Sequence, residues 1–437
     1  MNVLVGKRTG FVAILAALGI SAALTAALPA SAVQPPAAAD AAVITDWNAI
    51  SVNTIAGAPP NGAGLNNAEG IMWFAFAQAA VYNAVEGITG EYALYDWHAK
   101  APKGASPEAA AAVAAHDVLR YYFGGNATIA ANLDAALANS LANIPVGVPK
   151  DQGKRYGARA AQRLIELRAN DGRFAPITFD TPVVPGVWRP TPTALLPFLD
   201  PWLSQVTPFM LDSDSQFRPG PPPAMDSALY TQEFNEVRDY GSNLPVGALG
   251  QSRTQAQTDT GLYFSRDIGA GPYQAGLRDL ASRHHLNISD SARMFAAVDM
   301  SLADTIFAVW DTKYLYGKWR PITAIREADT DNNPDTAPVP GWTPLIPTPN
   351  YPDYVSGLSG VTGALSQSLA RLNMFDLIVT SPVGTTRHYT DPVAMRTDVV
   401  DARVWDGIHF RSADVAGAAI GVDVANWAVD HYFAPTK

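Results

Sequence analysis

The stretch Lys313-Tyr-Leu-Tyr-Gly-Lys-Trp-Arg-Pro321, followed by Tyr354-Val-Ser-Gly-Leu358 and by Ala402-Arg-Val-Trp-Asp-Gly-Ile-His-Phe410, decides how the chain is read. Upstream of it, Ile306, Val309, Trp310 and Lys313 recur at helical spacing, so the Lys313 ammonium points the same way as the apolar side chains. A buried ammonium is costly unless an anion meets it. Arg320 follows beside Pro321 in an expected turn, and two cations brought together repel unless something negative lies between them. Ser356-Gly357 precedes a helix, where a hydroxyl and backbone N–H groups suit a phosphate-shaped anion. Arg403 and His409 flank Gly407, a turn that lets both side chains converge. Three permanent cations, a hydroxyl, a glycine and an imidazole are what a tetrahedral oxyanion requires. Taken singly, each has a plainer reading: a snorkelling lysine at a helix end, a serine N-cap, a satisfied core histidine.

Working outward, the pattern is helical. The spacing predicts helices over 66–90, 106–124, 128–143 and 151–169, then 227–240, 253–266, 273–284, 289–316, 359–372, 397–405 and 412–432. Ser106-Pro107-Glu108 with Gly124-Gly125 is the clearest start and stop. The longest helix, capped by Ser289 or Asp290 and stopped by Gly317, carries Lys313 in its last turn. Between 174 and 227 the period is lost, and 12 of the chain's 34 prolines fall there. Trp188, Phe198, Trp202, Phe209 and Phe217 make this an ordered wrap over the bundle that shapes a substrate mouth, rather than a disordered linker. No segment alternates as a central strand does, so the expected class is all-α, a helical bundle with a long Pro-rich excursion.

Composition narrows the function. With 48% hydrophobic and 16% charged residues the chain is globular, and a net charge of −10 argues against nucleic acid as a partner. The absence of cysteine excludes disulfides, thiolate metal sites and a cysteine nucleophile. Lys7 and Arg8, an apolar run from Phe11 to Leu28 and Pro29-Ala30-Ser31-Ala32 read as a secretory signal peptide. The expected organisation is a signal over 1–32, a linker over 33–60 and one domain over 61–437, whose active-site half is 289–437. A secreted protein without a membrane span after signal removal follows, and the sequence names no oligomeric state.

The order lysine, Arg-Pro, Ser-Gly, then arginine and histidine resembles the vanadium-dependent haloperoxidases and their relatives, the type 2 phosphatidic acid phosphatases. "WRPITAIREADTDNNP", "VWRPTPTALLPF", "PPPAMDSALYTQEFNEV" and "SRTQAQTDTGLYFSR" resemble the bacterial haloperoxidase-like branch, so the likeness covers nearly the whole mature chain. The resemblance implies a helical bundle and a bound vanadate, with phosphate able to occupy the same site. It implies that His409 ligates vanadium while Lys313, Arg320, Ser356, Gly357 and Arg403 surround the oxyanion, and that Lys313, Arg320, Arg403 and His409 are catalytic. The implied partners are hydrogen peroxide and a halide or small organic substrate. In the phosphatase version His409 is the nucleophile.

One position departs from that pattern. The family motif reads Pro-Ser-Gly-His, and this chain reads Val355-Ser356-Gly357-Leu358. Leucine cannot protonate a leaving oxygen or assist peroxide, a loss of about two to four orders of magnitude in rate. A protein that binds the oxyanion without turnover therefore stands as a third reading. His388 is a candidate substitute, and Asp414, five residues after His409 rather than the four of the family motif, is a candidate to orient the imidazole. Asp329, Asp331, Asn333 and Asp335 alternate oxygen groups as a calcium loop does, and turn chemistry explains them as well.

Overall fold

The computed structural model describes residues 39–265 and 271–436. The expected signal peptide, the start of the linker and the predicted cleavage point lie outside the described residues. The first helices are α1 (Ala42–Ile55), α2 (Asn67–Thr89), α3 (Pro107–Phe123), α4 (Ala127–Ala142) and α5 (Val148–Leu167). After the Pro-rich wrap come α6 (Ala228–Tyr240), α7 (Gln255–Tyr263), α8 (Pro272–Arg283) and α9 (Ile288–Tyr316). The chain closes with α10 (Pro321–Arg326), α11 (Gly357–Arg371), the strands β1 (Leu377–Thr380) and β2 (Thr386–Tyr389), α12 (Pro392–Trp405) and α13 (Arg411–His431).

Two helices form the axis. Every residue of α9 from Met294 to Trp310 is buried, as is every residue of α2 from Gly70 to Glu86, and the two pack against each other. A helix buried on all sides is central, and the amphipathic helices gather around it. On one side α2 packs against α3, which packs against α5; on the other, α9 packs against α11 and α13. The apolar stripe ending at Lys313 thus belongs to one of the two central helices.

The α11–α13 pair comes to backbone contact. A Cβ on Gly417 would lie 2.4 Å from the Ser356 carbonyl oxygen, and one on Gly421 would lie 2.0 Å from that of Gly360. Only glycine permits that approach. It lets the Ser356 N–H donate to the Ala413 carbonyl at 2.8 Å, which fixes the start of α11 against the start of α13.

Several boundaries differ from the sequence reading. The stretch 33–60, expected as a linker, holds α1, whose Ile44, Trp47 and Ile55 are buried; polar and alanine-rich flanks masked a short amphipathic stripe. Helix α9 is capped by Asn287 rather than Ser289 or Asp290. Arg320 does not sit in a free turn but stands at the N-cap position of α10, its side chain making no cap bond, and α12 starts at Pro392 rather than 397. The antiparallel β1–β2 hairpin, too short for its alternation to register, adds one small element to the all-α class.

The wrap is ordered by specific acceptors. The Asp304 carboxylate, buried in α9, accepts the backbone N–H groups of Phe209, Met210 and Leu211 at 2.6, 2.7 and 3.2 Å. Arg168 donates to the Thr207 and Pro208 carbonyls. A segment with no ladder of its own must satisfy its backbone elsewhere, and here two buried charges do so. Trp188, Phe198 and Phe209 are buried, and Leu199 accepts the Trp310 indole N–H at 3.0 Å. That last bond carries the wrap to the end of α9 that holds Lys313.

Candidate oxyanion site

Five elements deliver the predicted residues to one region. Lys313 comes from the last turn of α9, Arg320 from the N-cap of α10, Ser356 from the N-cap of α11, Arg403 from the last turn of α12, and His409 from the α12–α13 connection. Gly407 makes that connection possible. Its φ is 79°, and a Cβ there would lie 2.2 Å from the Gly241 carbonyl oxygen. Lys313, Arg320 and Ser356 are fully buried, and Arg403 and His409 nearly so.

The imidazole is held on both sides. His409 Nδ1 lies 2.8 Å from Asp353 Oδ1, and Nε2 lies 3.2 Å from Arg320 Nη1. Arg320 Nη1 also lies 3.3 Å from Nδ1, so the guanidinium does not choose between the nitrogens; the Asp353 carboxyl against Nδ1 draws the ring proton there and leaves Nε2 as the acceptor. Burial drives the His409 pKa well below its ordinary value, and the charges of Arg320, Lys313 and Arg403 push it the same way. The ring is therefore neutral, with the Nε2 electron pair directed at Arg320.

The cations are crowded and unevenly matched. Lys313 Nζ donates to the Pro352 and Asp353 carbonyls at 2.6 and 3.1 Å, and Arg320 donates to those of Tyr351 and Ile408, each at 2.7 Å. Arg403 Nη1 donates to Asp406 Oδ2 at 3.0 Å and to the Phe264 carbonyl at 3.2 Å. Burial, then Arg320, lowers the Lys313 pKa well below its usual value. Three enclosed carboxyls, Asp353, Asp406 and Asp414, face these cations, and burial raises all three, the last two to about 7. Carboxyls so reluctant to ionise leave the region short of negative charge.

Two donors remain without an acceptor. Arg320 Nη2 and Arg403 Nε are buried and have no hydrogen-bond partner. An unsatisfied buried donor costs about 1–3 kcal/mol, and more when charged. Two orphaned guanidinium donors, a buried ammonium and an imidazole lone pair fit a tetrahedral oxyanion: it brings both the acceptors and the missing charge.

A cavity of about 310 Å³ adjoins these groups. Arg403, Gly357, Leu358 and Tyr351 line it, whereas Lys313, Arg320, Ser356 and His409 do not. Tyr351 is the partition, since Lys313 Nζ and the Arg320 guanidinium carbon lie 4.8 and 4.9 Å from its ring centroid.

Three residues here were missed by sequence reasoning: Tyr351, Asp353 and Asp406. The only signal was an aromatic and an acid shortly before Ser356, in a proline-broken loop without periodicity. Asp414 was expected to orient His409; instead it accepts the Ser359 hydroxyl at 2.9 Å, and Asp353 holds the imidazole. Asp414 lies in the first turn of α13, and its side chain faces Ser359 on α11. His388 does not join the site. It lies on β2, about half exposed, where it meets Asp376 together with Arg283 and His284. In the 329–335 loop, Asp331 Oδ1 accepts the Asn333 N–H and the Thr336 hydroxyl, and Asn333 Oδ1 accepts the Asp335 N–H. That is turn chemistry, and among the described residues no cluster of three or more His, Asp or Glu is arranged to hold a metal ion.

Comparison with known proteins agrees with this architecture. Residues 293–436 match the family model of the VCPO second helical-bundle domain. The vanadium chloroperoxidase of Curvularia inaequalis is 29% identical over 198 residues, a match that covers 39% of this chain and only 32% of that protein. The crystal structure of a bacterial vanadium-dependent iodoperoxidase superposes with a TM-score of 0.73 at 22% identity, covering 91% of this chain and 97% of that one. The holo form of a bacterial vanadium-dependent chloroperoxidase gives 0.66 at 15% identity, covering 91% and 98%. The chain thus has the largely helical fold of the bacterial vanadium haloperoxidases, and residues 293–436 are similar to the VCPO second helical-bundle domain.

Proposed function

We propose that the protein is a secreted, vanadate-binding oxidoreductase of the haloperoxidase type, which uses hydrogen peroxide to oxidise a halide or a small organic molecule. The observation that carries the reading is the pair of orphaned donors, Arg320 Nη2 and Arg403 Nε, in the same buried region as a neutral His409 whose Nε2 lies 3.2 Å from Arg320 Nη1. His409 would ligate the metal through Nε2; Lys313, Arg320, Ser356, Gly357 and Arg403 would surround the oxygens. Vanadate held there supplies the electrophilic centre at which peroxide is activated. The chain's own residues do the rest. Asp353 orients the ring, Arg320 and Lys313 compensate negative charge, the α11 N-terminus adds its dipole, and burial excludes bulk water.

A phosphatase using the same pocket is favoured by one feature, the Nε2 lone pair backed by Asp353, which is what a histidine nucleophile requires. Leu358 weighs against it, because phosphate-ester cleavage needs a proton for the leaving oxygen. Retained oxyanion binding without turnover is the remaining outcome.

Apo protein loaded with vanadate and assayed for bromide-dependent peroxide consumption, and separately for phosphate-ester hydrolysis, distinguishes the three. In calorimetry phosphate should displace vanadate, since both are tetrahedral oxyanions; failure to compete ends the shared-pocket reading. Arg403→Ala should weaken binding more than Lys313→Ala, since arginine offers a fork and lysine a point charge. Secretion is checked by intact mass, expected to begin at Val33 after removal of residues 1–32.

A further inference from the structure

Asp414 is a buried carboxyl that forms no ion pair with a cation among the described residues. It lies in the first turn of α13 and has no exposed surface. Oδ1 accepts the Ser359 hydroxyl at 2.9 Å, and Oδ2 is enclosed with no partner in hydrogen-bonding geometry. The charged groups around it are engaged elsewhere. Lys313 and Arg320 donate to backbone carbonyls, Arg403 pairs with Asp406, and Arg411, on the same helix as Asp414, pairs with Glu236 and Asp401. The other enclosed carboxyls, Asp353 and Asp406, act on Asp414 only by repulsion.

A carboxylate left unpaired in such a place is costly, so the carboxyl keeps its proton. Burial raises its pKa to about 7, against the pull of the Ser356 hydroxyl and of Arg403. A protonated carboxyl has one donor, and with Oδ1 already accepting, that donor is Oδ2. The groups beside it are fixed by backbone contact. Ser356 N–H donates to the Ala413 carbonyl at 2.8 Å, so the residue before Asp414 is bonded directly to the serine. A hydroxyl both accepts and donates. If Ser356 accepts from Asp414, its own O–H is left for the oxyanion; facing a carboxylate it would turn round and donate to Asp414.

We propose that Asp414 is a positioning residue that turns the Ser356 hydroxyl toward the bound oxyanion and supplies, through it, the proton that Leu358 cannot. In the transfer the Asp414 Oδ2–H bond breaks as an O–H bond forms on Ser356 Oγ, and the serine's original proton passes to an oxygen of the oxyanion. A carboxylate remains on Asp414, the serine is neutral again, and the oxyanion has gained one proton. The inference rests on the oxyanion reading, because without the anion the Ser356 hydroxyl has nothing to donate to.

The test is calorimetry on the full chain with inorganic phosphate and with sulfate, a tetrahedral oxyanion that carries no titratable proton near neutral pH, in buffers of different ionisation heat. A bound dianion makes Asp414 harder to ionise. Sulfate binding should therefore take up protons on the alkaline side of about 7, and sulfate affinity should fall as pH rises through that value. Asp414→Asn keeps an acceptor for Ser359 and loses the titrating proton, so its uptake should fall below that of the native chain by up to about one proton. Asp353 and Asp406 titrate in both proteins and cancel in the difference. Ser356→Ala should weaken sulfate binding about ten-fold or more. Equal uptake in the native chain and in Asp414→Asn leaves Asp414 as a structural partner of Ser359 and overturns the inference. Unchanged sulfate affinity in Ser356→Ala overturns the path through the hydroxyl. A preference of the native chain for phosphate over sulfate by more than about ten-fold overturns it as well, because an ionised Asp414 makes the hydroxyl an acceptor for a proton that only phosphate carries. That comparison needs no variant, so it stands if Asp414→Asn does not fold. Binding of neither anion overturns the oxyanion reading and this inference with it.

Discussion

Asp353 Oδ1 lies 2.8 Å from His409 Nδ1, with both side chains almost wholly enclosed. The carboxylate comes from the loop before α11 and the imidazole from the loop before α13, so the contact exists only because those two helices meet at backbone distance. It sets the ring proton at Nδ1 and leaves Nε2 as the acceptor. Asp353→Asn replaces the carboxyl that orients the ring and should weaken vanadate or phosphate binding about 10–100-fold, the usual cost of losing such a partner. Calorimetry on protein shown by circular dichroism to be folded measures it, and unchanged affinity would remove Asp353 from the site.

Leu358→His tests the position where a proton donor is missing. The new imidazole would start α11 on the cavity wall, next to Gly357, and turnover should rise about ten- to a thousand-fold, short of the full general-acid contribution because the shell is packed for leucine. Stability should fall by about 1–3 kcal/mol if the ring finds no partner. The same substitution combined with His409→Ala should show no gain. Peroxidase and phosphatase assays that stay flat in a folded, vanadate-binding Leu358→His protein would mean that leucine is not the defect.

Gly417→Ala tests how the site is held rather than what it contains. The added Cβ would sit 2.4 Å from the Ser356 carbonyl oxygen, a backbone atom that cannot step aside. Denaturant unfolding should show a loss of about 1–3 kcal/mol, with weaker oxyanion binding because the α11 N-terminus shifts. Gly341→Ala, where nothing lies within 4 Å, is the control and should change neither. Equal effects in both variants would refute the close approach.

His116 provides a pH-dependent contribution far from the site. Burial lowers its pKa, but hydrogen bonds to Asp117 at 2.7 Å and Asp134 at 3.0 Å outweigh that and raise it above the ordinary 6.5. A histidine pKa raised by folding means the charged form is favoured in the folded state. Its stabilisation is fully present below the unfolded pKa and is lost as pH rises through the folded one. Urea unfolding across that range should show the native chain exceeding His116→Gln by most at the acid end, with the gap closing as pH rises. A gap that widens with pH would contradict the ion pairs that join α3 to α4.

Sequence alone was enough for most of the helices, α1 and α10 excepted, because caps and 3.6-residue periodicity are local: Asn66, Ser106 and Ser227 each bond the N–H groups two or three residues ahead. It also singled out Lys313, Arg320, Ser356, Arg403 and His409, since permanent charges beside apolar stripes, glycines and prolines stand out without coordinates. Tertiary structure alone decided which carboxylate meets the imidazole, that Tyr351 lies between two cations and the cavity, and that Arg320 and Arg403 each keep an unsatisfied donor. Those facts depend on loops with no period and on helices packed through glycine, where the partner is chosen by distance in space. Asp353 and Asp414 look alike on paper, and only packing turns one toward His409 and the other toward Ser359.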